Sequence, residues 1–556
     1  MNNDNPGGKT EKSTDILDRK WMDINVPCRA ACPIMTDIPG YIKAISDGDY
    51  ETAYLINRRD NVLPSILGRI CNRPCEDACR HGWDGLGEPL AICFLKRSAA
   101  DYGLKEFAPD IKPNHKKVGI IGSGPAGLTA ANDLALKGYD VTVYEQFEEP
   151  GGMLRFGIPR FRLPRDIVEA DIKSITDLGV KIKTNTRIEN VAFIKELQKR
   201  NDAIIMAGGC MLPKKLDIPG LDSQGVTWGL DFMMDANRDK LSSSMEKVVV
   251  VGGGFTSVDC TRMAHRMGAK KIALSFLFTR DDMTVGEHEL DDMEAEGIDF
   301  VFLVSPVAVE SKDGKVTGIT FKRNSVQKDK SIKTIPGSEF TIEADTVVFA
   351  IGQEEEDYLP GKKLFAQDNF FITGDFRTGA STVIQAAADG RQIAGQVHRK
   401  LANIKEYQDV VTISEVKETG RIRDYDFIPL QPMDKIPLAE RAVKEKEVDT
   451  GYSQQKSVTE AQRCYLCHYN FQIDIDRCIY CLACIDVMPV DCIKMAKDIH
   501  VTDDGNMVPV PAENWEQVQA IVIDNNKCIR CGNCVRACPV DCISISHYSL
   551  DVVEKI

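Results

Sequence analysis

Val118-Gly119-Ile120-Ile121-Gly122-Ser123-Gly124-Pro125-Ala126-Gly127 reads as a buried strand, a glycine turn and the opening of a helix that continues over 128–136. The G-x-G-x-x-G spacing of Gly122, Gly124 and Gly127 lets backbone approach a pyrophosphate, and Pro125 and Ala126 begin a helix whose free N–H groups would face it. Eighteen residues beyond Gly127, after a strand over 141–144, Glu145 stands where an acid takes ribose hydroxyls. A second unit starts 130 residues after the first: a strand over 248–251, then Gly252-Gly253-Gly254-Phe255-Thr256-Ser257. Strand, glycine turn and helix in register twice over predict an α/β chain with two Rossmann-like domains and room for two dinucleotides.

The cysteines frame this core. Of nineteen, six lie between 28 and 93, two are Cys210 and Cys260, and eleven lie between 464 and 542. The C-terminal group contains a repeat. Cys478, Cys481, Cys484, Met488-Pro489-Val490-Asp491-Cys492 recurs as Cys528, Cys531, Cys534, Cys538-Pro539-Val540-Asp541-Cys542, each position displaced by 50. The second copy is the bacterial ferredoxin run, in which three close thiolates hold a [4Fe-4S] cluster and the fourth reaches to its neighbour. One cluster then takes Cys478, Cys481, Cys484 and Cys538. The other takes Cys528, Cys531, Cys534 and whatever replaces Met488, whose thioether is a weak donor beside a thiolate. Cys492 is the nearest candidate; a [3Fe-4S] cluster, Cys464, Cys467 or a non-cysteine ligand are the alternatives. Cys464-x2-Cys467 itself is either half of a further site or a reduced structural pair.

At 556 residues the chain is long enough for about four domains. With 43% hydrophobic and 27% charged residues, most of it should fold. A net charge of −14 argues against nucleic acid as a partner, and no apolar run is long enough for an integral membrane segment. The opening residues, 1 to about 20, are polar and expected to be loose. They hold no apolar signal stretch, and close-set cysteines fit a reducing compartment, so a cytoplasmic location is expected.

Further residues carry a family resemblance. Gly151-Gly152-Met153-Leu154-Arg155-Phe156-Gly157-Ile158-Pro159, Phe161-Arg162-Leu163-Pro164, Thr373-Gly374-Asp375, Ser381-Thr382-Val383-Ile384-Gln385-Ala386 and Asp389-Gly390 resemble the glutamate synthase small-chain family. That family includes the flavin half of dihydropyrimidine dehydrogenase and the large subunit of bifurcating transhydrogenases; the likeness spans roughly 25 to 400. It implies FAD on the first unit and NAD(H) or NADP(H) on the second, inserted one. It adds Gly152, Met153, Leu154, Arg160, Gly208, Gly352, Gly374, Asp375, Thr382 and Val383 to the cofactor-binding set. Where the family usually carries paired arginines for the 2′-phosphate, this chain has Phe278-Thr279-Arg280-Asp281-Asp282, which leaves NADH or NADPH open. Phe255 replaces the family's usual Asn or Asp.

Cys28-x3-Cys32-Pro33 and Cys71-x3-Cys75-x3-Cys79 resemble the same family's helical domain, which usually binds two [4Fe-4S] clusters. The family's upstream C-x2-C is missing, its places being Lys20 and Asp23. The resemblance implies one cluster on Cys32, Cys71 and Cys75, with Cys93 available as the fourth ligand and Cys28 and Cys79 as orphans of the family's other cluster or alternative ligands; two clusters or a structural zinc are the alternatives. Three [4Fe-4S] clusters are therefore expected, one N-terminal and two C-terminal.

The expected architecture is a helical iron–sulfur domain (1–112), an FAD domain (113–225 and 340–400), an inserted NAD(P)H domain (226–339), a linker (401–460) and an α+β ferredoxin-like domain (461–556). The expected function is hydride transfer from NAD(P)H to FAD, with single electrons passing through clusters to a ferredoxin or a catalytic subunit, or the reverse. The alternatives are a glutamate synthase small chain and a non-catalytic relay or scaffold subunit.

Overall fold

The computed structural model describes residues 19–555 apart from 84–85, 104–106, 108, 189, 242–244, 356–368 and 502–506. The opening stretch expected to be loose lies almost wholly outside the described residues.

Five parallel strands form the first sheet, in the order Phe370–Ile372, Ala203–Met206, Lys117–Ile121, Asp140–Tyr144, Lys181–Lys183. Val118, Ile120 and Ala203 to Met206 are buried, as strands covered by helices on both faces require. Helix Pro125–Leu136 starts straight after the glycine turn and packs on helix Val383–Ala402. The crossing is possible because Gly390 has no side chain: a Cβ there would stand 2.2 Å from the Ala126 carbonyl oxygen.

The second parallel sheet runs Val226–Trp228, Thr346–Phe349, Lys247–Val251, Lys271–Phe276, Asp299–Phe302. An antiparallel sheet built on Val304–Lys312 and Lys315–Val326 flanks it. The inserted unit thus runs past the expected boundary at 339. Thr346–Phe349 pairs between Val226–Trp228 and Lys247–Val251, and its apolar run gave no sign of which sheet it would join.

N-terminal to the sheets lie short helices with sequence-encoded starts. Asp37 accepts from Gly40 N–H at 3.1 Å and Asp49 from Thr52 N–H at 3.0 Å, each capping its helix. Helices Pro64–Ile70 and Ile92–Gly103 touch at Gly68, where a Cβ would lie 2.7 Å from the Arg97 backbone.

The stretch expected as a linker with little core is instead bound along its length. Glu406–Val416 pairs antiparallel with the last strand, Ile543–Lys555. Farther on, Lys435 and Arg441 hold Asp292 of the inserted unit at 2.7 and 3.0 Å, and Val448 joins that unit's core. Glu447 pairs with Arg69 and Arg97 at 2.9 and 3.0 Å. Arg463, fully buried, pairs with Glu460 at 2.6 Å and donates to the Glu88 carbonyl at 2.8 Å, while Glu460 accepts from Ala91 N–H at 2.9 Å. A buried ion pair survives only with its remaining groups satisfied, and both partners here meet that condition with N-terminal-domain backbone. Composition suggested a tether because the contacts are polar and long-range.

The tail forms two three-stranded sheets, with the short helices Ala483–Asp486 and Asn533–Ala537 after the two cysteine loops. Ile543–Lys555 is the central strand of one sheet, between Glu406–Val416 and Tyr469–Ile473.

Candidate functional site

A cleft open to solvent, about 1610 Å³ with the solvent at its mouth, lies between the two α/β units. On the first unit it is bounded by the turn Gly122 to Ala126, Glu145, Gly152, Met153, Gly208, Gly374, Asp375, Thr382 and Val383; on the second, by Phe255 and Thr256. The first glycine turn and the residues that follow the second therefore face one void. At the head of Pro125–Leu136 no side chain caps the helix, and a Cβ on Gly124 would meet nothing within 4 Å. Free N–H groups and open space at that point fit a pyrophosphate.

Glu145 is buried, and its carboxylate accepts from Ser123 N–H at 3.0 Å, Phe147 N–H at 2.9 Å and the Ser123 hydroxyl. These bonds hold it at the end of its strand with its face to the cavity. The Gly374-Asp375 turn hangs on Asp389, which accepts from Thr373 Oγ1 at 2.9 Å and Gly374 N–H at 2.5 Å. Burial pushes the Asp375 carboxyl up from its usual range, and the Ser381 hydroxyl bound to it partly offsets this.

Other residues singled out from sequence do not line the void among the described residues. Gly127 serves the turn itself, a Cβ there standing 2.0 Å from the Gly122 carbonyl, and Leu154 is core. Arg160 turns away to Glu445 at 2.9 Å and Asp239 at 3.4 Å. Gly252 abuts the Ala350 carbonyl, Gly253 lies under the Phe276 ring, Gly254 caps the second helix and Gly352 sits beside Lys214. Arg280 is held by Glu287, Asp291 and Glu294 at 2.9, 2.8 and 2.6 Å.

Sequence reasoning missed the Arg162–Asp259 pair at 2.8 Å, which joins the two units at the cavity wall, with Arg162 over the Phe255 ring. Arg162 stood inside a quoted motif, but nothing local marks Asp259. Cys210 also lines the cavity, its thiol donating to the Asp375 carbonyl at 3.3 Å.

The thiols gather in sets. Burial works against the Lys96 ammonium, yet Cys71, Cys32, Cys75 and Cys93 around it hold its pKa above the ordinary lysine value. In the tail, Cys478, Cys481, Cys484 and Cys538 wall a void of about 310 Å³ lined otherwise by Cys542 and apolar side chains. A hydrogen bond joins Cys492 to Cys528 and lowers the Cys528 thiol's pKa from its ordinary value, and Cys534 and Cys531 act on Cys492 as well, so Cys492 stands in the Cys528, Cys531, Cys534 set. Met488 is nearby, its sulfur accepting from Ile493 N–H at 3.3 Å. Among the described residues no three His, Cys, Asp or Glu side chains converge as on a single ion. Thiols spaced around a void suit a cube of iron and sulfide, which fills the middle.

Two dinucleotide units sharing a cavity, between an N-terminal cysteine set and a C-terminal one of ferredoxin spacing, define an NAD(P)H-dependent oxidoreductase with FAD-binding and [4Fe-4S] domains. The chain belongs to the pyridine nucleotide-disulphide oxidoreductase family, whose model matches residues 116–400. Residues 18–107 match dihydropyrimidine dehydrogenase domain II, 4Fe-4S cluster, and residues 521–544 a 4Fe-4S binding domain. The chain is 35% identical to NADP(+)-dependent formate dehydrogenase subunit beta of Moorella thermoacetica, over 80% of this chain and 71% of that one. It is 33% identical to NADPH-Fe(3+) oxidoreductase subunit beta of Geobacter sulfurreducens (80% and 75%) and 32% to the glutamate synthase [NADPH] small chain of Azospirillum brasilense (67% and 85%). These relatives are subunits of larger complexes, which points to a redox partner for this chain. Among the described residues no helix is long and apolar enough to cross a membrane.

Proposed function

We propose that this chain is the nicotinamide-oxidising subunit of a redox complex, delivering electrons through its ferredoxin-like tail to a ferredoxin or a catalytic subunit. The same path can run in reverse. FAD in the shared cavity would accept hydride from NAD(P)H and release its two electrons singly to iron–sulfur centres. The observation that carries the reading is that Phe255 and Thr256, at the head of the second unit's helix, face the same void as Gly152, Met153 and the Gly374-Asp375 turn.

The chain's own residues set the geometry. Helix Pro125–Leu136 offers N–H groups to the pyrophosphate and Glu145 an acceptor to the ribose. Asp389 fixes the Gly374-Asp375 turn, and the Arg162–Asp259 pair ties the nicotinamide unit to the flavin unit. For the centres, the thiol sets support Cys32, Cys71, Cys75 and Cys93; Cys478, Cys481, Cys484 and Cys538; and Cys492, Cys528, Cys531 and Cys534. All nineteen cysteines are free thiols, which suits the cytoplasm.

Anaerobic stopped-flow mixing with NADH and with NADPH tests this. Bleaching of the bound flavin by at least one coenzyme is expected. Bleaching by neither would overturn the reading in favour of a relay subunit.

A further inference from the structure

Of the seven cysteines outside these sets, Cys210, Cys260 and Cys542 lie apart from the other four, which come from opposite ends of the chain. Cys28 and Cys79 belong to the helical domain, where they lack the family's upstream pair, and Cys464 and Cys467 stand at the start of the ferredoxin-like tail, just past the connector. In the fold all four wall one void of about 370 Å³, otherwise lined by Pro27, Ile38, Ile42, Leu90, Ile92 and neighbouring side chains. We propose that Cys28, Cys79, Cys464 and Cys467 bind a fourth [4Fe-4S] cluster, shared between the first and last parts of the chain. This rests on the iron–sulfur reading above and extends it.

Three independent features carry the assignment. The void matches in size and wall chemistry the one at Cys478, Cys481, Cys484 and Cys538, about 370 against 310 Å³.

The loop after Cys464 also has the geometry of the ferredoxin loops. Leu466 N–H points at Cys464 Sγ at 3.4 Å, as Tyr480 N–H does at Cys478 and Arg530 N–H at Cys528, each at 3.4 Å. In all three the donating residue is left-handed, with φ of 50° at Leu466, 55° at Tyr480 and 54° at Arg530. Leu and Tyr adopt that conformation only under constraint. A structural C-x2-C pair has no need of it, whereas a loop that wraps a cube and donates N–H to sulfur does.

The surroundings, finally, are cationic. Arg80 points at Cys467 Sγ at 3.7 Å, Arg421 donates to the Cys464 carbonyl at 2.9 Å, and the buried Arg463 lies within electrostatic reach of Cys79. Four thiolates around a cluster carry net negative charge, which these guanidiniums offset. A zinc site would draw its thiolates to about 2.3 Å from one point, a convergence absent among the described residues. One apolar cluster holds Cys28, Cys467 and Cys531 together, so this site abuts the Cys528, Cys531 set.

The test uses the full chain, reconstituted anaerobically. Wild type should carry about 16 iron and 16 sulfide, and the Cys464→Ser/Cys467→Ser variant about 12 of each, with FAD content and flavin bleaching unchanged. Cys28→Ser, from the other end of the chain, should remove the same spectral component from the reduced-state EPR. Should the variants misfold, alkylation mass spectrometry on wild type gives the answer: all four thiols should be protected together and released together by an iron chelator. A wild-type content of about 12 iron, one zinc per chain, or alkylation of Cys464 and Cys467 in the holoprotein would each overturn the proposal. None of these would touch the flavin reading, which fails only if bleaching fails.

Discussion

Asp171 sits on helix Arg165–Thr176 of the flavin unit, fully buried against the helical iron–sulfur domain. One carboxylate oxygen accepts from Ile66 N–H at 3.0 Å. Burial pushes the acid up from 3.8 to about 6, against smaller lowering from the Ile66 and Ser65 bonds and from Arg58 and Arg69. The sign follows: stability from the protonated form is fully present below about pH 3.8 and is lost as pH rises through about 6. The shift corresponds to about 3 kcal/mol of destabilisation at pH 7.5 and roughly half that at pH 5. Asp171→Asn removes the titration. Its amide leaves a donor short of a partner, a cost that applies equally at both pH values, so the readout is the pH slope. Relative to wild type, the variant should gain about 1.5 kcal/mol between pH 5 and pH 7.5. In scanning calorimetry that is on the order of 3–6 °C if the flavin unit melts as a cooperative unit of about 150–250 residues. An unchanged difference between the two chains at both pH values would refute the buried-charge reasoning.

Gly390→Ala drives a Cβ into the Ala126 carbonyl and displaces the helix that faces the pyrophosphate. FAD retention after gel filtration should fall at least about tenfold, an overpacking cost of 1–3 kcal/mol. Cys492→Ser should cost about one iron per chain and give a three-iron EPR signal, and adding Met488→Cys should restore the cube; an unaltered spectrum would remove Cys492 from the set. Converting Glu287, Asp291 and Glu294 to their amides frees Arg280, and KM for NADPH should fall roughly three- to tenfold while KM for NADH stays put. An equal change for both coenzymes would exclude Arg280 from phosphate selection.

Local spacing carried much of this. Gly122 to Gly127 with Glu145, and the fifty-residue repeat in the tail, place strands, turns and thiols within short windows, so one sequence shows both the elements and their chemistry. What stayed hidden was long-range. Nothing near Asp259 announces Arg162, nothing near Thr346 says which sheet its strand enters, and the connector's polar composition conceals that Glu460 and Arg463 are buried partners of the helical domain. Arg160 and Arg162 are alike in the motif, and only the fold decides which one faces the cavity.

The connector's hold on the helical domain also governs the order in which the protein can mature. Chains emerge from the ribosome N-terminus first, and domains ordinarily fold as they appear. Here the backbone at Glu88 and Ala91 finds its partners in Arg463 and Glu460, and the Tyr50 hydroxyl meets Ser457 at 2.6 Å. The first domain must therefore wait, incompletely satisfied, while more than three hundred further residues are made. A nascent chain stalled before the connector would expose its earliest thiols, so assembly of the N-terminal half waits until the connector has been made.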